Sequence, residues 1–477
     1  MRVVIHVDAS PSIGTGHVVR CLALAAALRR GGSQVTLATD ELTVALRARA
    51  ARLEVEVVRR EAAPADPDWV VFDGYHLGRE DRDALAPLGT LRLVVDDLGE
   101  SLDDATLILN QNIYATPAGP SRGGPDAELL AGPAYALLNP EFADVPADAL
   151  PPPSVARRVL VTMGGADPNN ATAAVIGGLG ALSHDPQVRV VIGGSHPSPG
   201  ETEELARRAG FEVVRDVPSL APHVTWSDVV VTACGTSVLE VACLGRPMIG
   251  VVLAPNQELV AAAVEREGLG IVTGRHPRLD PVKLANDLDA LRADQPRRTR
   301  AAARGRRLVD GRGAGRTADV LRTGPLRLRP ASLEDGPRLL EWRMDPEARA
   351  ASFDSGTIAL DAHMAWLREQ LSSEAARTWI GMLGDVPVGV VRFNVEGGRA
   401  TVSVTVAPDR RSAGIGARLI SLGCSKVAAT THVRHVDAWI RRENTASEQA
   451  FIRAGFRPAS DDLADRRRYE LALEPMG

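Results

Sequence analysis

Val3-Val4-Ile5-His6-Val7-Asp8, then Ala9-Ser10-Pro11-Ser12-Ile13-Gly14-Thr15-Gly16, then His17-Val18-Val19-Arg20-Cys21-Leu22-Ala23-Leu24-Ala25: the chain opens as a β-branched strand, a glycine-containing turn and an apolar helix. This order predicts the first βα unit of a parallel α/β fold. Gly14 and Gly16 allow close backbone approach to a ligand, and the free amides of the helix start favour negative charge there. The same positive helix end disfavours an imidazolium, leaving His17 a neutral ring able to accept a proton.

Outward from this unit, Val35–Thr39, Trp69–Asp73 and Leu93–Asp97 alternate with helical text. A proline-rich joint (Pro146, Pro151, Pro152, Pro153) precedes a second series beginning at Arg158–Thr162 and running through Val188–Ile192, Val229–Thr232 and Ile249–Val252. The pattern predicts two Rossmann-like lobes, residues 1–145 and 155–322, with a cleft at the carboxyl ends of their strands. Thr323-Gly324-Pro325 punctuates the chain, and the period-two alternation of Val386–Phe393 and Ala400–Val406 predicts a separate α+β domain over 326–474.

Length and composition agree with this division. At 477 residues the chain exceeds one ordinary core, and its formal charge of −5 is spread without a nucleic-acid footprint or a polybasic membrane patch. Small molecules are the expected partners. The N-terminus enters a strand directly, and no run approaches a membrane span, so a cytoplasmic location is expected. Cys21, Cys234, Cys243 and Cys424 have neither metal-ligand nor redox-motif spacing.

In the second lobe, Thr232–Ala233 leads through Cys234-Gly235-Thr236-Ser237 into a helix. The amides of Gly235 to Ser237 and the hydroxyls of Thr236 and Ser237 can hold a diphosphate, with Glu240 one turn on to accept from a ribose. An ordinary capped helix with a solvent-facing glutamate is the plainer alternative. With Asp8-Ala9-Ser10, Ile13–His17 and Arg20, Asp73-Gly74-Tyr75, Asp96-Asp97-Leu98, Leu109–Asn112, Gly164–Pro168 and Ala254-Pro255-Asn256-Gln257, residues 1 to about 320 resemble the UDP-2,4-diacetamido-2,4,6-trideoxy-β-L-altropyranose hydrolase family of pseudaminic acid biosynthesis. The resemblance implies a glycosyltransferase-B-like fold, a water activated by His17, attack at the sugar C1, departure of UDP with inversion, and no metal requirement. It implies sugar-side roles for Tyr75 and Asn256, and substrate contacts at Ser10, Gly14, Gly16, Arg20 and Gln257. His6, Asn139 and Cys234 depart from the family pattern.

Further on, Ala407–Ile420 reads as a basic, glycine-containing turn entering an apolar helix, and Arg411-x-x-Gly414-x-Gly416 lets consecutive amides surround a pyrophosphate. With Asn444–Ser447 and Phe451–Phe456 downstream, residues 326–474 resemble the GCN5-related N-acetyltransferase (GNAT) family. That resemblance assigns the acetyl-CoA pyrophosphate to Arg411, Ser412, Ala413, Gly414, Ile415 and Gly416, its pantetheine arm to the backbone beside Val404 and Val406, and a contact to Asn444. Glu341-Trp342-Arg343 and Arg392-Phe393 resemble acceptor-side segments of sugar-nucleotide acetyltransferases. Phe451 stands where many relatives place a tyrosine general acid.

The combined expectation is a bifunctional enzyme. It acetylates a UDP-4-amino-trideoxyhexose with acetyl-CoA and hydrolyses the UDP-diacetamido sugar to free sugar and UDP. A glycosyltransferase of the same fold and a hydrolase carrying a non-catalytic GNAT-like binding domain remain open on the residues alone.

Overall fold

The computed structural model describes residues 1–8, 16–99, 101–117, 119, 122–124, 127–146, 151–180, 182, 186–354, 356–459 and 463–473. Ser10 and Gly14 lie outside them. The chain forms two compact units: Met1–Leu98, Gln111–Tyr114 and Pro133–Ala318 make the first, and Gly99–Asn110, Ala115–Gly132 and Asp319–Gly477 the second.

The first unit holds two parallel sheets. In one, the strands run Glu56–Val58, Gln34–Ala38, Arg2–Val7, Trp69–Asp73, Leu91–Val95. In the other the order is Glu212–Arg215, Gln187–Ile192, Arg158–Thr162, Val229–Ala233, Met248–Val252, Gly270–Arg275. Both sequences start in mid-sheet, wind outward, and return to the other side, which opens a crevice beyond the carboxyl ends of the two central strands. Such strands are covered on both faces, and Val3, Val4, Ile5 and Val7 are accordingly buried, as are Val159, Leu160 and Val161. His6 is buried in the same strand and stacks on Phe72 with ring centroids 5.5 Å apart.

The second unit carries a largely antiparallel sheet in the order Leu326–Pro330, Ala376–Leu383, Val386–Glu396, Arg399–Val406, His435–Arg441, Arg466–Ala472, Arg457–Pro458. Val391 and Phe393 pack with Leu419, Ile420 and Cys424 of the helix Ile415–Thr430. The other face, through Ile380 and Val390, packs with Leu339, Trp342 and Leu367 from the helices Gly336–Met344 and Leu360–Ser372. Arg399–Val406 and His435–Arg441 are parallel and pair only from Arg399↔His435 to Thr401↔Asp437. Beyond Thr401 the two strands part.

This unit also takes in a segment far upstream of the expected break at Thr323–Pro325. Leu107–Asn110 and Glu128–Ala131 form a parallel pair within it. Glu128 and Arg418 are both buried and meet through two 2.6 Å hydrogen bonds. Glu128 also accepts from the Leu326 amide at 2.7 Å, and Arg418 donates to the Gly324 carbonyl at 2.8 Å. A buried bidentate pair of this kind is costly to break from one side, because the remaining charge has no water to replace its partner. Glu128→Ala should therefore destabilise the second unit by about 3–5 kcal/mol. Chemical denaturation of the full chain reads this as a lowered midpoint for that unit, and an unchanged midpoint would show the pair to be dispensable.

Candidate functional sites

The helix Gly16–Arg30 follows the central strand Arg2–Val7, and Asp73 ends the strand paired beside it. This neighbour relation brings residues 17, 20 and 73 together. His17 Nδ1 lies 2.6 Å from Asp73 Oδ1, while Arg20 donates to both carboxylate oxygens at 2.6 and 2.7 Å. The third guanidinium nitrogen of Arg20, Nη1, is 2.7 Å from Asp97, which in turn accepts from Asn112 at 3.0 Å. Burial opposes charge on Asp73, but Arg20 and then His17 hold its carboxyl well below the usual carboxylate range. In the sequence Asp73 and Asp97 stand within the Asp73-Gly74-Tyr75 and Asp96-Asp97-Leu98 motifs, where nothing marks them as partners of His17 and Arg20. Their role comes from strand adjacency, which local spacing does not reveal.

Across the cleft, the helix Ser237–Cys243 follows the strand Val229–Ala233. A Cβ placed on Gly16 would come 3.6 Å from Thr236 Oγ1, an ordinary van der Waals contact, so the two helix starts face one another across the cleft. His17, Arg20, Tyr75, Asp97, Gly235, Thr236, Ser237, Asn256 and Gln257 all line one cavity of about 470 Å3. Tyr75 meets His17 edge-on, with ring centroids 4.8 Å apart, and its hydroxyl accepts from Asn256 Nδ2 at 3.3 Å. Gln257 turns its Oε1 back to the Leu253 amide at 2.9 Å.

A second cavity of about 180 Å3 adjoins these residues, sharing Gly16, Arg20, Thr236 and Ser237 and adding Asp216, Val217, Pro218, Leu220 and Glu240. Glu240 is thus in a cavity wall. Burial pushes its carboxyl up to about 7, Arg49 working against the rise and Glu141 with it.

In the second unit the Arg411–Gly416 turn enters the helix Ile415–Thr430 with Ser412 at φ 63° and Gly414 at φ 76°. A Cβ on Gly414 would meet no atom within 4 Å, while the positive φ still favours glycine. Arg411 pairs with Asp345 at 2.5 Å and Glu347 at 2.8 Å. Val404 and Val406 lie on the strand that has parted from its parallel neighbour. Asn444 caps the helix Thr445–Arg453 by accepting from the Ser447 amide at 3.0 Å. Phe451 is buried edge-on to Phe456, and the Tyr469 hydroxyl donates to Glu448 at 2.5 Å.

On the face covered by the helices Gly336–Met344 and Leu360–Ser372, three buried polar atoms find no partner among the described residues: Arg343 Nη1, His363 Nε2 and Thr378 Oγ1. Thr378 is the register partner of Arg392, whose guanidinium lies 5.0 Å from the Trp366 ring centre. Burial, and then Arg343, lowers the pKa of Arg392.

Residues 325–457 match the family profile described as Acetyltransferase (GNAT) domain. The C-terminal segment carries a GNAT domain. Over 335 residues the chain is 22% identical to the spore coat polysaccharide biosynthesis protein SpsG of Bacillus subtilis, which covers 67% of this chain and 98% of that protein. It is likewise 22% identical over 274 residues to an uncharacterized protein of Methanocaldococcus jannaschii, covering 54% of this chain and 56% of that one. Among solved structures, a domain from Methanocaldococcus jannaschii matches with TM-score 0.29 and 19% identity over 31% of this chain and 97% of its own. Spermidine N-acetyltransferase of Vibrio cholerae, in complex with CoA and spermine, matches with TM-score 0.30 and 14% identity over 31% and 95%. Among the described residues, no cluster of His, Cys, Asp and Glu could hold a metal ion and no helix is long and apolar enough to cross a membrane.

The raised Glu240 carboxyl has a measurable consequence. An unfolded glutamate titrates near ~4.3, so between there and about 7 the folded chain binds the extra proton, and stability falls as pH rises through that window. Glu240→Gln should flatten this part of the profile. Urea midpoints at pH 5 and pH 8 are expected to differ less in the variant than in the wild type; equal differences would contradict a perturbed Glu240.

Proposed function

We propose that the chain is a bifunctional nucleotide-sugar enzyme: the first unit hydrolyses a UDP-diacetamido-trideoxyhexose to free sugar and UDP, and the second acetylates a UDP-4-amino-trideoxyhexose with acetyl-CoA. The observation that carries the hydrolase half is the His17–Asp73–Arg20 network opening on a cavity shared with the Gly235–Ser237 turn. The relative in spore coat polysaccharide biosynthesis supports a role in sugar chemistry.

In this reading the diphosphate lies against the Gly235–Ser237 amides, the nucleoside occupies the smaller cavity with Glu240 at its ribose, and the sugar occupies the larger one beside Tyr75 and Asn256. Asp73 accepts the Nδ1 proton of His17, which directs Nε2 to a water molecule. Nε2 takes a proton from that water as its oxygen bonds to C1. The C1–O bond breaks with its electron pair leaving on UDP, and C1 inverts. Asp73 stabilises the imidazolium, while Arg20 and Asp97 keep Asp73 ionised and in place. UDP is already a good leaving group, so positioning, proton removal and diphosphate binding supply what the reaction needs.

For the second unit, acetyl-CoA supplies an activated acetyl thioester. The Arg411–Gly416 turn would hold its pyrophosphate, and the unpaired Ser403–Val406 edge would align its pantetheine amides. Arg343, His363, Thr378 and Arg392 supply unspent hydrogen-bonding capacity for a polar acceptor. Phe451 has no proton to give a departing thiolate, so that proton comes from elsewhere.

Incubation of the full chain with UDP-4-amino sugars, with and without acetyl-CoA, followed by mass and NMR identification of products, tests the whole reading. Acetylated sugar and UDP are expected only when acetyl-CoA is present. His17→Asn should slow UDP release from an acetylated substrate by roughly 10²- to 10⁴-fold while substrate binding persists; turnover at the wild-type rate would remove His17 as the base. Gly414→Val should weaken acetyl-CoA binding at least about tenfold by placing a branched side chain against the anion-binding amides. Calorimetry checks this, with unaltered UDP release from the acetylated substrate as the internal control; unchanged acetyl-CoA affinity would exclude the turn.

A further inference from the structure

The smaller cavity of the first unit is lined mostly by the second lobe, but one wall belongs to the helix Val44–Arg52 of the first. Thr43 caps this helix by accepting from the Leu46 amide at 3.3 Å. Ala45, Leu46, Arg49 and Arg52 line the cavity, a spacing that puts them along one side of the helix. Among them, Arg49 is half-buried and reaches across: its Nη1 is 3.4 Å from the Pro218 carbonyl.

Its electrostatic situation is unusual for an arginine in such a place. No carboxylate of the described residues comes within 4 Å of its guanidinium, although Glu141 and Glu240 are close enough to act on it through space. Burial lowers its pKa against their attraction. A guanidinium has five donors in a rigid plane, and here one long contact to a carbonyl uses little of that capacity. Arg20, in the same cleft, is by contrast fully spent on Asp73 and Asp97. Arg49 is held out over a cavity with its donors unspent.

We propose that Arg49 is a nucleoside-binding residue: it donates from the first lobe to the oxygen acceptors of the bound nucleoside while Glu240 accepts from the ribose hydroxyls on the opposite wall. The inference rests on the reading of this cavity as the nucleoside site. It adds that the nucleotide itself bridges the two lobes, with Arg49 as the first lobe's hand on it. The contact is to the nucleoside and not to the diphosphate, because Arg49 approaches the wall at Pro218 and Glu240, one helical turn beyond Ser237.

Binding of uridine and of UDP to the full chain, followed by calorimetry and ligand-observed NMR for wild type, Arg49→Ala and Arg49→Lys, tests the proposal. Arg49→Ala should weaken both ligands by the same factor, about 10- to 100-fold. Arg49→Lys should fall between, since lysine keeps the charge and loses the planar fork. In turnover, KM for the UDP-sugar should rise with little change in kcat, a split that a loss of folding would not produce. Wild-type affinity in both variants overturns the proposal, as does a loss confined to UDP, which would move Arg49 to the diphosphate. A wild-type chain that binds neither ligand overturns the hydrolase reading and this inference together, whereas wild-type binding with an indifferent Arg49 overturns only the inference.

Discussion

Asp73 is fully buried and carries a charge, a combination that a protein interior tolerates only when the charge is met from several sides. Arg20 meets it with two hydrogen bonds and His17 with a third, and Arg20 is itself held by Asp97. The consequence is geometric. Arg20 neutralises the buried carboxylate from one side and Oδ1 also meets Nδ1 of His17, so the imidazole is held in one orientation by a group that is itself fixed. The position of the His17 ring is thus set by the strand order of the sheet.

That strand order also explains why two helix starts, at Gly16 and Ser237, end up opposed. Each follows a strand at the centre of a doubly wound sheet, where neighbouring crossovers go to opposite faces and leave a crevice. Gly16 sits above one crevice and Thr236 above the other, close enough that a Cβ on Gly16 would be in van der Waals contact with Thr236 Oγ1. The cavity between them is therefore a product of topology, and the side chains that line it decide what it can hold.

Much of this was legible in the sequence, and the illegible part has a common cause. Strand-turn-helix units announce themselves by β-branched runs and glycine, and the strands at Arg2–Val7, Trp69–Asp73, Arg158–Thr162 and Val229–Ala233 lie where alternation puts them. The same holds for Val386–Glu396 and Arg399–Val406. The partner of His17 was not readable as such, because Asp73 lies 56 positions away and only the parallel pairing of two strands brings it near. Arg49 shares a short helix with Arg47 and Arg52 and reads as solvated surface; only the fold brings it within 3.4 Å of the Pro218 carbonyl. Glu128 carries no local signal at all, since its partner Arg418 is 290 positions downstream.

The two units differ in how their polar groups are spent, and the difference bears on what each can bind. Around His17 the charges of Asp73, Arg20 and Asp97 are all partnered, which holds the group rigid. In the second unit Arg411 is engaged by Asp345 and Glu347, so an anion at its turn must draw mainly on backbone amides or else displace those carboxylates. Arg343, His363 and Thr378 instead keep buried atoms unpaired, a standing cost of desolvation that a well-placed ligand removes. The preference this builds into that face is directional. It rewards a ligand with acceptors and hydroxyls at matching positions and penalises an apolar one, which would seal the orphaned groups further from water.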